Sequence, residues 1–159
     1  VIAMPQLIEP VMHRDPSHTY RIMVLDTKEN IGLLTEACLR DGHQVVPVLT
    51  INEGMRFLNT RDHIDIVISR VHIENESVFD FLKEVKSRDQ HKEVRFMMIC
   101  SEPSEFAMAV DETVRTAAEI MGVDKYLTMK THDVERLMKE IEAILPKTLP
   151  KKEQDKDSA

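Results

Sequence analysis

The feature that most constrains this chain is a repeated alternation of short apolar runs with longer amphipathic segments. Arg21–Leu25 (RIMVL), Gln44–Leu49 (QVVPVL), Ile64–Ser69 (IDIVIS), Val94–Ile99 (VRFMMI) and the shorter Asp124–Thr128 read as five strands. Where successive positions are apolar, rather than alternate ones, the strand is buried on both faces, as in a parallel sheet covered on each side. The intervening segments carry apolar residues at three- and four-residue spacing. They are Glu29–Arg40 (Ile31, Leu34, Cys38, Leu39), Ile51–Asn59 (Met55, Phe57, Leu58), Ser77–Ser87 (Val78, Phe81, Leu82, Val85), Ser104–Met121 and Thr131–Leu145 (Val134, Leu137, Met138, Ile141, Leu145). Asp41-Gly42 and Gly122 are helix stops, because glycine takes the left-handed conformation at a helix C-terminus without strain.

Five strands alternating with five helices predict a three-layer α/β domain around a parallel five-stranded sheet. Right-handed crossovers leave few topologies, of which the flavodoxin-like order 2-1-3-4-5 is the common one. Pro47 supports it independently. A proline cannot donate to a sheet ladder, so its strand belongs at an edge, where that order puts the second strand.

With 159 residues the chain is long enough for one domain with a substantial core. We place the domain at 20–146, after an irregular leader at 1–19 and before a charged tail at 147–159, expected to be disordered for want of apolar residues. There are 28 acidic and 21 basic side chains, giving a net charge of −7 and arguing against nucleic-acid binding by this chain. No apolar run approaches the roughly 18–20 residues that span a bilayer, so no membrane partner is expected. Two cysteines, Cys38 and Cys100, make no disulfide framework, and a reduced, cytoplasmic setting is expected.

In such a fold the ligand site lies at the carboxyl ends of the strands. The residues there are Asp26 and Thr27, Ser69 and Arg70, Cys100 and Ser101, and Met129 and Lys130. With the phrases RIMVLDTKENIGLL, IDIVISRVHI and GVDKYLTMK, this layout resembles the receiver domain of response regulators over roughly 21–145. The resemblance implies a pocket in which two acidic residues after the first strand bind magnesium and an aspartate after the third strand accepts a phosphoryl group. A Ser or Thr after the fourth strand and a Lys after the fifth contact the phosphate.

This chain departs from that pattern at nearly every position. Asp26 matches the first acidic residue, but Thr27 replaces the second. Arg70 stands at the acceptor position, preceded by Ser69; Cys100 replaces the Ser/Thr; Met129 replaces the Lys, with Lys130 next to it. A guanidinium neither accepts a phosphoryl group nor tolerates a divalent cation beside it. The chain is thus identified as a degenerate pseudo-receiver with no catalytic residue and no metal or other cofactor. Its expected role is phosphorylation-independent binding of a protein partner in a signalling pathway. Self-association through the fourth helix, fifth strand and fifth helix is expected with it. The competing reading is a sensor or enzyme for a small anion, built on Asp26, Arg70, Cys100 and Lys130. An ion pair between Arg70 and Asp26 is expected to lock the pocket.

Tyr126 stands where receiver domains carry an aromatic that rotates on activation. About seven residues more than the family pattern separate Cys100 from Tyr126, and lengthen the fourth helix or the loop before it. The seven histidines (13, 18, 43, 63, 72, 91 and 132) lack metal-ligand spacing and are expected to be solvated or locally capping, with His72 on the pocket rim. Asp41-Gly42-His43 is read as a turn, Cys100 as a small buried hydrophobe, and most of the ten methionines as core.

Overall fold

The computed structural model describes residues 19–60, 62–101 and 103–145. Of these, Tyr20–Leu145 form one compact unit. The expected leader, Thr19 apart, and the expected tail lie outside the described residues, as do His13 and His18. Five parallel strands, β1 (Arg21–Leu25), β2 (Gln44–Val48), β3 (Ile66–Arg70), β4 (Arg95–Ser101) and β5 (Lys125–Met129), form one sheet in the order β2-β1-β3-β4-β5. That is the topology read from the sequence, with Pro47 on the edge strand, opposite Val24. The helices are α1 (Lys28–Arg40), α2 (Ile51–Leu58), α3 (Val78–Ser87), α4 (Glu105–Ile120) and α5 (Val134–Ile144).

Strand alternation divides the core in two. Ile22, Val24, Ile66, Ile68, Met97 and Ile99 face α1 and α5, where Leu34, Cys38, Leu137 and Ile141 meet them. Met23, Leu25, Val67, Phe96 and Met98 face the other way, onto α3 residues Phe81, Leu82 and Val85 and onto Ala107 and Ala118 of α4. Each fully buried side chain of this size contributes roughly 1.5–3 kcal/mol relative to exposure, which is why these runs are apolar at every position. Phe81 and Phe96 meet edge to face with ring centroids 5.4 Å apart. Gly42 and Gly122, at φ 84° and 97°, close α1 and α4 as expected.

Three details depart from the sequence reading. A small antiparallel ribbon, His72–Ile73 with Glu76–Ser77, lies between β3 and α3, with Asn75 in the left-handed region (φ 62°). Glu76 Oε1 accepts from the backbone N–H of Ile51 at 3.0 Å, tying the ribbon to the start of α2. The last helix begins at Val134 rather than at residue 131, because the Asp133 carboxylate caps it, accepting from the N–H of Arg136. Two histidines are buried rather than solvated. His43 meets the carboxylate of Glu142 at 3.1 Å, and His91 lies 2.8 Å from the Leu58 carbonyl oxygen. Both sit where a turn folds back over the core, so their rings serve mainly as packing; the Gln90 side-chain amide, at 3.3 Å, is a second polar contact of His91. Only three positions lie between Ser101 and Glu105, so most of the stretch from Cys100 to Tyr126 is the 16-residue α4.

Candidate functional site

Parallel strands bring the ends of β1, β3 and β4 to one side of the sheet, and an open cleft of about 370 Å³ lies there. Of the seven pocket positions proposed from the sequence, Asp26, Thr27, Arg70 and Cys100 line it, joined by Asn30, His72 and the start of α4. Ser69, Met129 and Lys130 are not among its lining residues. Ser69 is fully buried and its hydroxyl donates to the Arg70 carbonyl at 2.9 Å. Met129 packs into the core face shared with α5, and Lys130 is exposed. A second cleft, of about 680 Å³, shares Arg70, Val71 and His72 and extends between the ribbon and Val114 of α4.

The first turn of α1 determines what Asp26 does. Its Oδ1 accepts from the backbone N–H of Thr27 at 2.7 Å and from the Asn30 side-chain amide at 3.1 Å. Thr27 caps the helix, its hydroxyl accepting from the N–H of Asn30 at 3.2 Å. A carboxylate at a helix N-terminus is stabilised there by the exposed N–H groups. The expected Asp26–Arg70 ion pair does not form: no salt bridge or hydrogen bond joins the two side chains. Asp26 is turned toward its own helix, and the Arg70 Nε is buried without a hydrogen-bond partner.

The arrangement does not fit magnesium. Hard divalent cations need several oxygen ligands, usually with more than one carboxylate. Among the described residues lining the cleft Asp26 is the sole carboxylate, its Oδ1 is engaged locally, and a guanidinium shares the space. The Cys100 thiol is pushed up from its usual range, first by burial and then by the charge of Asp111, with Arg115 acting in the opposite direction. It is therefore a poor nucleophile near neutral pH. The Cys38 thiol, enclosed between α1 and the sheet, is pushed up to about 12 by burial, then by Asp41 and Glu142.

A second polar centre lies between α4 and β5. Tyr126 and Thr128 alternate along β5 and so face the same way. The Tyr126 hydroxyl donates to Asp111 Oδ1 at 2.9 Å, and the Thr128 hydroxyl donates to Asp111 Oδ2 at 2.9 Å. Arg115, one turn on, pairs with Asp111 at 3.5 Å, donates to Thr128 Oγ1 at 2.8 Å and lies 4.8 Å from the centroid of the Tyr126 ring. Burial and the Asp111 carboxylate both raise the Tyr126 pKa. The aromatic thus lies inward, with its hydroxyl held. Arg115 and Arg136 also donate to the Tyr126 and Thr128 carbonyls, at 3.3 and 3.2 Å, occupying acceptors along the free edge of β5.

Sequence reasoning missed this centre, although two signals pointed to it. Asp111 and Arg115 have the i,i+4 spacing of a helical ion pair, and Tyr126 and Thr128 have the i,i+2 spacing of one strand face. It also missed the contact of Ser101 Oγ with His132 Nδ1, at 3.2 Å, between the ends of β4 and β5.

No protein-family model matches the chain, and no curated protein matches it in sequence. Solved structures do match in shape. The chemotaxis response regulator CheY4 of Vibrio cholerae superposes with a TM-score of 0.68 at 19% identity, covering 80% of this chain and 100% of that one. The non-phosphorylated HemR receiver domain from Leptospira biflexa gives 0.65 at 18% identity, over 82% and 98% of the two chains. A response regulator from Thermotoga maritima gives 0.62 at 18% identity, over 80% and 98%. The sheet order, the helices on both faces and these superpositions agree: the chain has the three-layer α/β fold of response-regulator receiver domains.

Proposed function

We propose that this chain is a pseudo-receiver, a signalling module that acts by binding a protein partner and does not accept a phosphoryl group. The observation that carries the reading is the chemistry at the end of β3. A guanidinium stands where an acceptor carboxylate is needed, and Oδ1 of the one carboxylate lining the cleft is engaged by Thr27 and Asn30. Phosphoryl transfer to an aspartate needs the acceptor, a cation to offset charge on the transferring group, and donors to hold it. The described cleft offers a cationic residue in place of the first and no ligand set for the second. A fold kept without that chemistry retains its surfaces, and surfaces act through binding.

The test is incubation with acetyl phosphate and magnesium, followed by intact-mass measurement. The expected result is an unmodified chain, and the Arg70→Asp variant is expected to remain unmodified as well, because Met129 and Lys130 do not reach the cleft. A stoichiometric phosphoryl adduct on the natural chain would sink the proposal.

One observation favours a second reading, a cleft that senses a small anion: the Arg70 Nε has no hydrogen-bond partner among the described residues. Asp26 opposes that use, and Lys130 contributes nothing to the cleft lining. A thermal-shift series with inorganic phosphate, sulfate and small dicarboxylates separates the two readings, since a ligand that binds only the native state raises its stability. Under the lead reading no anion shifts the midpoint through Arg70.

A further inference from the structure

We infer that the outer face of α4 is a docking surface for an amphipathic helix whose apolar stripe is flanked by lysine or arginine. The inference rests on the reading above, that the chain works by binding a protein, and specifies where and what it binds. Phe106, Thr113 and Ile120 stand seven residues apart, as do Val110 and Ala117, so they form one stripe along the helix. Phe106 is 73% exposed and Ile120 is 80% exposed, more than any other large apolar side chain in the described residues. Between them Thr113, Thr116 and Ala117 leave a shallow groove of about 350 Å³, bordered by Glu112. Large residues at both ends with small ones between are a shape that receives large side chains from a facing helix.

This stripe is separate from the contacts that hold α4 in place. Ala107 and Ala118 are buried in the core, and Asp111 and Arg115 reach β5. At about 100° per residue, Phe106, Thr113 and Ile120 lie roughly 140–180° around the helix from Asp111 and Arg115. The open apolar face therefore points away from β5, on the flank opposite the surface where self-association was expected. Apolar side chains aligned along one exposed helix face, rather than scattered singly, are the pattern of an interaction surface.

Charge selects the occupant. Glu105, Glu112 and Glu119 share the seven-residue spacing and run beside the stripe, all three exposed. None makes an ion pair or a side-chain hydrogen bond among the described residues. A row of unpaired carboxylates along an apolar stripe corresponds to the flanking positions of a paired helix, whose complement is Lys or Arg at matching spacing. A second copy of this chain offers the wrong sign. Antiparallel pairing of two such helices would bring the glutamate rows together, and like charges across an interface discriminate against it.

The test uses the full chain and two fluorescent synthetic helices about three heptads long. They share a leucine stripe and differ only in flanking residues, lysine in one and glutamate in the other. The lysine-flanked helix is expected to bind saturably, with hydrogen-exchange protection on α4. Phe106→Asp and Ile120→Asp are each expected to weaken it by about tenfold or more, with unchanged thermal midpoints because both side chains are exposed. Reversing the charge row with Glu112→Lys and Glu119→Lys is expected to transfer the preference to the glutamate-flanked helix. Equal binding of both helices, no binding, indifference to the α4 variants, or protection on β5 and α5 would overturn the inference. So would self-association of the chain that Ile120→Asp abolishes. The arms separate the two proposals: a phosphoryl adduct removes the functional reading but not the surface, whereas failed peptide binding without an adduct removes only the surface.

Discussion

The strand-end cleft and the α4–β5 junction each contain one aspartate and one arginine, and they use them in opposite ways. In the cleft, Asp26 bonds to the first turn of its own helix and Arg70 is left with an unpartnered Nε. At the junction, Asp111 receives Tyr126, Thr128 and Arg115 together. The same residue types thus give one unlinked pair and one saturated network. Proximity in the fold is not sufficient for an ion pair: an acceptor already supplied by local N–H donors gains little from turning to a cation elsewhere in the same cleft. Where two residues stand one helical turn apart and a strand supplies the remaining donors, the network closes at small entropic cost.

If that contrast is right, mutational effects should differ sharply between the two centres. Asp111→Ala strips the acceptor from a buried tyrosine hydroxyl, a threonine and an arginine, and is expected to destabilise the chain by about 2–4 kcal/mol in urea unfolding. Combined with Tyr126→Phe, it should show a coupling above about 0.5 kcal/mol in a double-mutant cycle. Asp26→Ala removes two bonds at a helix start and should cost about 1–2 kcal/mol. A loss larger than that of Asp111→Ala would reverse the comparison.

Alkaline pH probes the junction next. The folded Tyr126 pKa is raised above its ordinary value of 10.0. Its contribution to stability is therefore complete below the unfolded pKa and is lost as pH rises beyond it, because the unfolded chain ionises first. The Cys38 thiol, raised from 9.0 to about 12, acts in the same direction and begins lower. Urea midpoints measured between pH 8 and pH 11 should fall, and Tyr126→Phe should flatten the upper part of that decline. An unchanged slope would show that the hydroxyl is not held as described. The smallest effect is expected from Arg70→Met, within about 0.5 kcal/mol of the natural chain and additive with Asp26→Ala. A large loss, or strong coupling to Asp26, would reveal a pairing that this geometry lacks.

How much was legible in advance depended on how local the cause was. The strands Arg21–Leu25 and Gln44–Val48, and the stops at Gly42 and Gly122, follow from side-chain period and backbone sterics, and the sequence reading placed them within a residue. The edge position of β2 follows from one missing N–H in Pro47. The Asp133 cap shortened α5 by a margin that periodicity cannot detect, because capping and helix continuation compete within a single turn. The buried histidines were missed for a different reason. A lone imidazole in a polar stretch carries no sign of the Glu142 carboxylate that meets it 99 positions later.

The candidate site divides along the same line. From the sequence alone it was clear that a receiver-like sheet would present Arg70 and Cys100 at its carboxyl ends, because strand order and parity follow from the pattern of apolar residues. Only the tertiary structure decided which end residues share the cleft. Met129 packs into the core and Lys130 is exposed, because the end of β5 packs against α5. It likewise decided that Asp26 ignores Arg70 while Asp111 gathers three partners. Periodicity determines which face a side chain occupies, but hydrogen bonding is decided by competition among all donors within reach, and distant donors are brought together only by folding.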